Sequence, residues 1–217
     1  MLKYHIWFWP FNTTDSEYEE IVRDTEHLYK GKDKIFRVVD ASVCRHSGWR
    51  QRIASETSRA DTVTVVTIYV MGHTNINFQS LHSHLDTSKG ESLDALKLAL
   101  RLNWIVELIH PNAAIKVKFL NCRSAHARYP RPTCERLAQL SGRAFTGFAY
   151  GLDISTKTRI EGTNQYKPNK EVFFKTSETD VVSNRAKEGR FQVWPELRTV
   201  TDTKEPTTLE EFLELLG

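Results

Sequence analysis

The stretch Thr62-Val63-Thr64-Val65-Val66-Thr67-Ile68-Tyr69-Val70-Met71 is a long run of apolar and β-branched residues. Such residues favour strands, and a run without strict apolar–polar alternation is typical of a central strand that is covered on both faces. Gly72 and His73 follow it directly. We therefore predict a buried central strand over residues 62–71.

Outward from this strand, strand-like and helix-like segments alternate along the first two thirds of the chain. The apolar patterns predict further strands over residues 3–11, 35–39, 115–120 and 145–154. They predict helices over residues 14–28, 47–59, 92–109 and 134–140, the third with Leu93, Leu96, Leu100 and Trp104 along one stripe. Such alternation is typical of α/β folds. The predicted fold is a three-layer α/β sandwich with a mostly parallel central sheet.

The last third of the chain is more polar and has a strand-and-turn pattern. Residues 171–175 and 190–194 are predicted to pair as short hairpin strands that bury Phe173, Phe174 and Trp194, and residues 209–216 to form a closing helix. No internal repeat or low-complexity linker separates this part from the rest. We therefore predict one domain over residues 1–217, with an α/β core (1–154) and a C-terminal β-hairpin flap and helix (155–217).

Composition limits the classes of function. Thirty basic and 27 acidic residues give a formal net charge of +3, and the basic residues are scattered, so a nucleic-acid partner is not expected. No apolar run approaches the roughly 20 residues of a membrane helix, and the N-terminal segment lacks the features of a signal peptide. Three cysteines without CxxC spacing favour a reducing compartment. We expect the protein in the cytoplasm or delivered into a host cytosol.

Two chemically useful side chains follow two neighbouring predicted strands. His73 comes directly after the strand over residues 62–71, and Cys122 comes shortly after the next one, with a single long helix between them. Consecutive parallel strands usually lie side by side, and ligands bind at the edge where their carboxyl ends meet. A thiol and an imidazole at one edge are what acyl transfer to cysteine requires, because the imidazole takes up the thiol proton and later returns it.

These two segments resemble a known family. Tyr69-Val70-Met71-Gly72-His73-Thr74 and Val117-Lys118-Phe119-Leu120-Asn121-Cys122-Arg123-Ser124-Ala125 are similar to the two motifs of the caspase-like cysteine peptidases. This superfamily includes caspases, metacaspases, legumains, gingipains and the self-processing protease domains of bacterial toxins. In element order the resemblance extends over about residues 35–154. It implies the caspase/hemoglobinase fold and a cysteine endopeptidase without metal or organic cofactor, such as a bacterial effector, a toxin module or an intracellular regulatory protease.

The resemblance also implies roles for individual residues. Cys122 matches the family's nucleophile, and His73 matches the histidine that transfers the proton. The backbone N–H groups of Cys122 and Thr74 match the oxyanion hole, whose donors stabilise the tetrahedral intermediate. Most family members have glycine at the position of Thr74. A peptidase of this kind acts on protein or peptide substrates, its own chain among them.

Substrate selection is predicted from residues at the strand ends. Metacaspases, which cleave after Arg or Lys, have Asp where this chain has Leu120, so the resemblance is closer to the toxin protease domains, which cleave after leucine. Asp40 and Asp153 are candidates for an acidic pocket instead. In the toxin domains a flap binds a polyanionic activator such as inositol hexakisphosphate. The basic residues that match such a flap here are Lys167, Lys170, Lys175, Arg185, Lys187 and Arg190.

Two other functions stay open at this point. His82-Ser83-His84-Leu85-Asp86 is similar to the first part of the zinc-binding motif of metallo-β-lactamase-like hydrolases, which predicts a metal-dependent hydrolase centred on His82, His84 and Asp86. The other alternative is a non-catalytic binding module with the caspase-like fold, because the glycine expected at position 74 is absent. Cys44 and Cys134 are interpreted as structural residues.

Overall fold

A computed structural model describes most of the α/β core and parts of the C-terminal third. The described residues are 2–12, 34–38, 47–57, 64–74, 79–86, 88–160, 162–163, 165–175, 182–185 and 189–195. The predicted helices over residues 14–28 and 209–216 lie outside them, as do Asp40, Cys44 and Lys187.

The described residues form twelve strands and three α-helices. In chain order the strands are β1 (Leu2–Phe8), β2 (Lys34–Val38), β3 (Thr64–Val70), β4 (His73–Thr74), β5 (Leu81–His82), β6 (Ser92–Leu93), β7 (Ala114–Phe119), β8 (Phe145–Tyr150), β9 (Ile154–Arg159), β10 (Tyr166–Lys175), β11 (Val182–Arg185) and β12 (Arg190–Trp194). The helices are α1 (Ser47–Thr57), α2 (Ala95–Val106) and α3 (Pro130–Ser141). None of the described helices is long and apolar enough to cross a membrane.

A six-stranded sheet in the order β12-β8-β7-β3-β1-β2 forms the centre of the molecule. Every neighbouring pair from β8 to β2 is parallel, and β12 adds an antiparallel strand at the edge next to β8. Helices flank this sheet. The predicted mixed α/β fold with a mostly parallel central sheet is therefore confirmed.

The burial of β3 explains the amino-acid composition of residues 62–71, from which this strand was predicted. Ile68 and Tyr69 point to opposite faces, as successive strand residues do, and both are buried. Its neighbour β7 is covered on one face, because Val117 is buried whereas Lys116 is exposed. A strand covered on both faces has no position for a charged side chain, which is why β3 contains only apolar residues, threonine and tyrosine, whereas β7 alternates.

Helix α3 packs closely on the sheet because of a glycine in β8. A Cβ atom at Gly147 would lie 2.7 Å from the Sγ atom of Cys134, which is on α3. Cys134 is fully buried in the hydrophobic core. The thiol of Cys134 therefore has the structural role that was predicted for it.

The helix predicted over residues 92–109 begins later than expected, at Ala95. Asp94 caps this helix, since its side chain accepts a hydrogen bond of 2.8 Å from the backbone N–H of Lys97. The preceding Ser92 and Leu93 form the short strand β6 instead. The capping aspartate decides where the helix begins, although apolar residues continue upstream of it.

The buried stripe of α2 also differs from the predicted one. Leu96 and Leu100 are exposed, with 53% and 42% of their surface accessible. The buried residues are Leu98, Ala99, Leu102, Ile105 and Val106. Both sets recur at spacings of three and four residues, so periodicity alone does not separate them, and the packing of α2 against α3 and the sheet selects the second set.

The C-terminal third contains the predicted antiparallel strands, but the two segments predicted as hairpin strands lie in different sheets. Residues 171–175 belong to the longer strand β10, which forms a separate antiparallel sheet with β9 and β11. Residues 190–194 form β12, which joins the central sheet beside β8. A second small antiparallel sheet, β4-β5-β6, was not predicted. Short strands of this kind leave little trace in a sequence, because two residues define no period.

A buried hydroxyl on α3 provides a test of the packing. Thr133 is fully buried, and its Oγ1 atom has no hydrogen-bond partner among the described residues. Thr133→Val keeps the shape and removes the polar atom, so we expect the free energy of unfolding to rise by about 1 kcal/mol. Urea denaturation monitored by circular dichroism measures this change. A loss of stability would show that the hydroxyl is hydrogen-bonded in solution.

Candidate active site

Strands β3 and β7 are adjacent and parallel, as the predicted site requires. Their pairing continues to the end of both strands, because the backbone N–H of Leu120 donates a hydrogen bond of 2.9 Å to the carbonyl of Val70. His73 follows Val70 by three residues, and Cys122 follows Leu120 by two. The chain segments that carry the two side chains therefore leave the sheet at the same edge.

Asn121, which precedes Cys122, connects these two segments. It is 1% exposed, and its Nδ2 atom donates a hydrogen bond of 2.8 Å to the carbonyl of Gly72. Its Oδ1 atom accepts a hydrogen bond of 3.3 Å from the hydroxyl of Tyr129. The Tyr129 hydroxyl also lies 3.2 Å from Oγ1 of Thr74. Both neighbours of His73 are thus linked to the residue next to Cys122.

Sequence reasoning missed Asn121 and Tyr129 as parts of this site. Tyr129 precedes a helix and lies away from both motifs, so no local pattern indicates it. Asn121 carried one usable indication, a strongly polar residue between a buried strand and a candidate nucleophile. A buried amide needs several hydrogen-bond partners, and here they come from residues 72 and 129.

Gly72 makes the sharp turn between β3 and β4. Its φ of +147° is a conformation that side chains other than glycine rarely adopt. A Cβ atom there would lie 2.9 Å from a ring carbon of Phe11 and 3.0 Å from the carbonyl oxygen of His82. Only glycine fits this turn, which directs His73 away from β3.

Substitution of this glycine tests the turn. We expect Gly72→Ala to lower the free energy of unfolding by about 2 kcal/mol or more, because it combines an unfavourable φ with a steric clash. Gly142→Ala is the matched control, since Gly142 also has a positive φ, of +63°, but no atom within 4 Å of an added Cβ. Equal losses of stability in urea denaturation would contradict the close packing at position 72.

Cys122 is exposed on a strained turn. It forms no disulfide bond, and the next residue, Arg123, has left-handed backbone angles (φ 52°, ψ 30°) although it is not glycine. Such a conformation persists only where the surrounding structure stabilises it, and it is often found at functional sites. By contrast, burial raises the pKa of the Cys134 thiol. Of the two described cysteines, Cys122 is the one that a substrate can reach.

Ser124 holds this turn against the neighbouring strand. Its side chain is fully buried, and Oγ donates a hydrogen bond of 2.8 Å to the carbonyl of Phe119. The same Oγ accepts one of 2.9 Å from the backbone N–H of Tyr150 at the end of β8. Ser124, the second residue after Cys122 in the second motif segment, thus has a structural role in this chain.

His73 has a second histidine beside it. In the small sheet, half-buried His73 pairs with His82 across β4 and β5, and Nε2 of His82 lies 2.9 Å from Oγ of Ser80. Burial, followed by the nearby charge of His73, lowers the pKa of His82. Protonation of His82 is therefore disfavoured in the folded protein.

The lowered pKa of His82 predicts a dependence of stability on pH. The unfolded chain binds a proton at this histidine more readily than the folded protein does. The free energy of unfolding should therefore decrease as the pH falls through the unfolded value of about 6.5. We expect the melting temperature of His82→Gln to decrease less between about pH 7.5 and 5.5 than that of the unmodified protein. His84→Gln is the control, and an equal flattening there would contradict the assignment to His82.

The structure does not assemble the metal site predicted from the histidine motif. Asp86 is exposed, and its carboxylate accepts hydrogen bonds of 3.1 and 2.6 Å from Ser88 and pairs with Lys89 at 3.2 Å. His82 is buried beside Ser80. No group of three His, Cys, Asp or Glu residues within the described ranges is arranged to hold a metal ion, so His82, His84 and Asp86 do not form one.

The predicted substrate residues have other roles where the structure describes them. Leu120 is 6% exposed and belongs to the hydrophobic core. Asp153 forms two hydrogen bonds with the guanidinium of Arg123, of 3.1 and 3.3 Å, so its carboxylate is neutralised by the residue after Cys122. Asp40 is not in the described ranges.

The basic residues predicted to bind a polyanion are divided between two sheets. Lys167, Lys170 and Lys175 lie on β10 and Arg185 on β11, within the same three-stranded sheet. Arg190 belongs to the central sheet, where its guanidinium stacks 4.3 Å from the ring centroid of Phe148. Arg190 therefore lies in a different sheet from the four residues on β10 and β11.

No protein family and no curated protein matches the sequence. Among solved structures, the chain has a weak similarity to the crystal structure of Chaetomium thermophilum Raptor. The two chains are 7% identical with a TM-score of 0.34, and the similarity covers 72% of this chain and 16% of the other. Inferences about function therefore depend on this chain's own residues.

Proposed function

We propose that the protein is a cysteine endopeptidase of the caspase-like type, with Cys122 as nucleophile and His73 as general acid and base. The observation that supports this best is the hydrogen bond from the side chain of Asn121 to the carbonyl of Gly72. It joins the residue before Cys122 to the residue before His73, on neighbouring parallel strands. It holds the segments that carry the thiol and the imidazole at one edge of the sheet, which supports their action on one substrate.

The proposed reaction has two stages. Transfer of the thiol proton to His73 leaves a thiolate on Cys122, which attacks the carbonyl carbon of the scissile peptide bond. The tetrahedral intermediate collapses as His73 protonates the departing amine, and a thioester remains on Cys122. Water, deprotonated by His73, then hydrolyses the thioester and releases the new carboxylate together with the free thiol.

The oxyanion of that intermediate requires backbone donors. The N–H groups of Cys122 and Thr74 are the proposed ones, carried over from the resemblance. Both belong to short, well-supported segments, since Ser124 holds the turn after Cys122, and Thr74 lies in strand β4 with its Oγ1 near Tyr129. Threonine at this position keeps its N–H, so the absence of glycine leaves the donor in place.

The ion pair beside Cys122 affects which substrate side chains are expected before the cleaved bond. Arg123 and Asp153 neutralise each other through two hydrogen bonds, which leaves Asp153 without a free carboxylate for a basic substrate residue. An uncharged side chain before the cleaved bond therefore fits this edge better than Arg or Lys does. This agrees with cleavage after leucine, the preference implied by the resemblance to the toxin protease domains.

Peptide cleavage tests the proposed function. A mixed peptide library digested by the full chain should be cut preferentially after apolar residues. Cys122→Ala and His73→Ala should each lower kcat/KM at least about a thousandfold, because either change removes the acyl-transfer machinery. Cys134→Ala and His84→Gln are the matched controls and should retain activity where their circular dichroism spectra are unchanged.

Two outcomes would overturn the proposal. An unmodified protein that is folded but cleaves no peptide in the library, with or without an added polyanion such as inositol hexakisphosphate, supports a non-catalytic binding module instead. Cleavage that survives Cys122→Ala but is lost with a chelator and restored by zinc supports a metal-dependent hydrolase.

A further inference from the structure

We propose that the buried hydroxyl of Tyr129 is a positioning group for the Cys122–His73 pair, holding the two chain segments at the separation that proton transfer between them requires. This inference rests on the proposed function and deepens it. The observation behind it is that the phenol oxygen bridges two residues from different segments, Asn121 beside Cys122 and Thr74 beside His73.

The hydrogen bonds run in one direction through the phenol. The Tyr129 O–H donates to Oδ1 of Asn121, so the remaining contact is donated by the hydroxyl of Thr74 to the phenol oxygen. The amide of Asn121 continues the chain by donating to the carbonyl of Gly72. Each group in this series of hydrogen bonds has a partner. The series begins at Thr74 and ends at Gly72, the two neighbours of His73.

Tyr129 itself cannot shift easily. It is 1% exposed, immediately precedes α3, and packs edge to face against Phe119 of β7, with ring centroids 6.0 Å apart. Burial, with a smaller contribution from the nearby Cys122 sulfur, raises the pKa of Tyr129. The phenol therefore keeps its proton, and with it the hydrogen bond to Asn121, at neutral pH.

The contact geometry separates this role from simple packing. The ring of Tyr129 fills core space next to Phe119, which phenylalanine would also fill. The hydroxyl, and not the ring, adds a connection between the segments of Cys122 and His73 beside the hydrogen bond from Asn121 to Gly72. Removal of the oxygen should leave the fold intact and change the thiol chemistry, whereas a structural role would change stability first.

Alkylation of Cys122 measures the pairing without any substrate. The full chain is treated with iodoacetamide at about pH 6.5 and about pH 8.5, and the rate at Cys122 is followed by peptide mass spectrometry. An imidazole held close to the thiol favours the thiolate at the lower pH, and at the higher pH the thiol ionises without help. We expect Tyr129→Phe to slow alkylation about tenfold at the lower pH and little at the higher pH.

A second pair of variants separates the hydrogen bond from other effects. Thr74→Val removes the other hydroxyl of the bridge and should slow the reaction in the same way, while Thr74→Ser keeps the oxygen and should restore the unmodified rate. Thr133→Val is the matched control for loss of a buried hydroxyl, because Thr133 lies on α3 outside the bridge. It should leave the rate ratio between the two pH values unchanged.

The outcomes distinguish this inference from the proposed function. If His73→Ala leaves the pH dependence of Cys122 alkylation unchanged, the two residues are not coupled, and both proposals fail. If His73→Ala slows the reaction at the lower pH but Tyr129→Phe and Thr74→Val do not, only the positioning role is overturned. An equal slowing of Cys122 alkylation at the lower pH in Thr133→Val would also overturn the positioning role of Tyr129. Should Tyr129→Phe fail to fold, the comparison of Thr74→Val with Thr74→Ser decides.

Discussion

The hydrogen bond between the Asn121 amide and the Gly72 carbonyl depends on one constraint, the parallel pairing of β3 with β7. Parallel strands end at the same edge, so residues that follow them in sequence are delivered to one place although a long helix separates them. A one-residue change of register would move every side chain of β7 to the other face of the sheet. The burial of Val117 and exposure of Lys116 keep that register in place.

The edge of the sheet combines a rigid buried layer with an accessible surface. Asn121, Tyr129 and Ser124 are almost fully buried, and their polar atoms are hydrogen-bonded, which is the condition under which buried polar groups are tolerated in a core. Cys122 is exposed directly above them. The turn after Cys122 is held rigidly enough to keep Arg123 in a left-handed conformation, which would let the proposed nucleophile meet a substrate without rearrangement of the backbone.

Local patterns predicted those elements whose environment is uniform along their length. The run of apolar and β-branched residues at 62–71 identified the central strand, because a strand buried on both faces has no position for a charged residue. Where two faces of a helix have the same spacing of apolar residues, the sequence does not indicate which face is buried. Leu96 and Leu100 fit a helical stripe as well as Leu98 and Leu102 do, and only the packing partner separates the two. The pairing of β12 with β8 likewise depends on contacts distant in sequence.

For the candidate site, the sequence by itself indicated the two side chains that are proposed to carry the chemistry and the strands that end beside them, since strand–Gly–His and strand–x–Cys are local patterns. It did not determine what connects them. The contacts of Asn121 and Tyr129 with Gly72 and Thr74 join residues about fifty positions apart, and a hydrogen bond over such a separation exists only after the sheet has formed. The burial of Leu120 in the core and the pairing of Asp153 with Arg123 were also not predictable from the sequence. Both depend on neighbours in space.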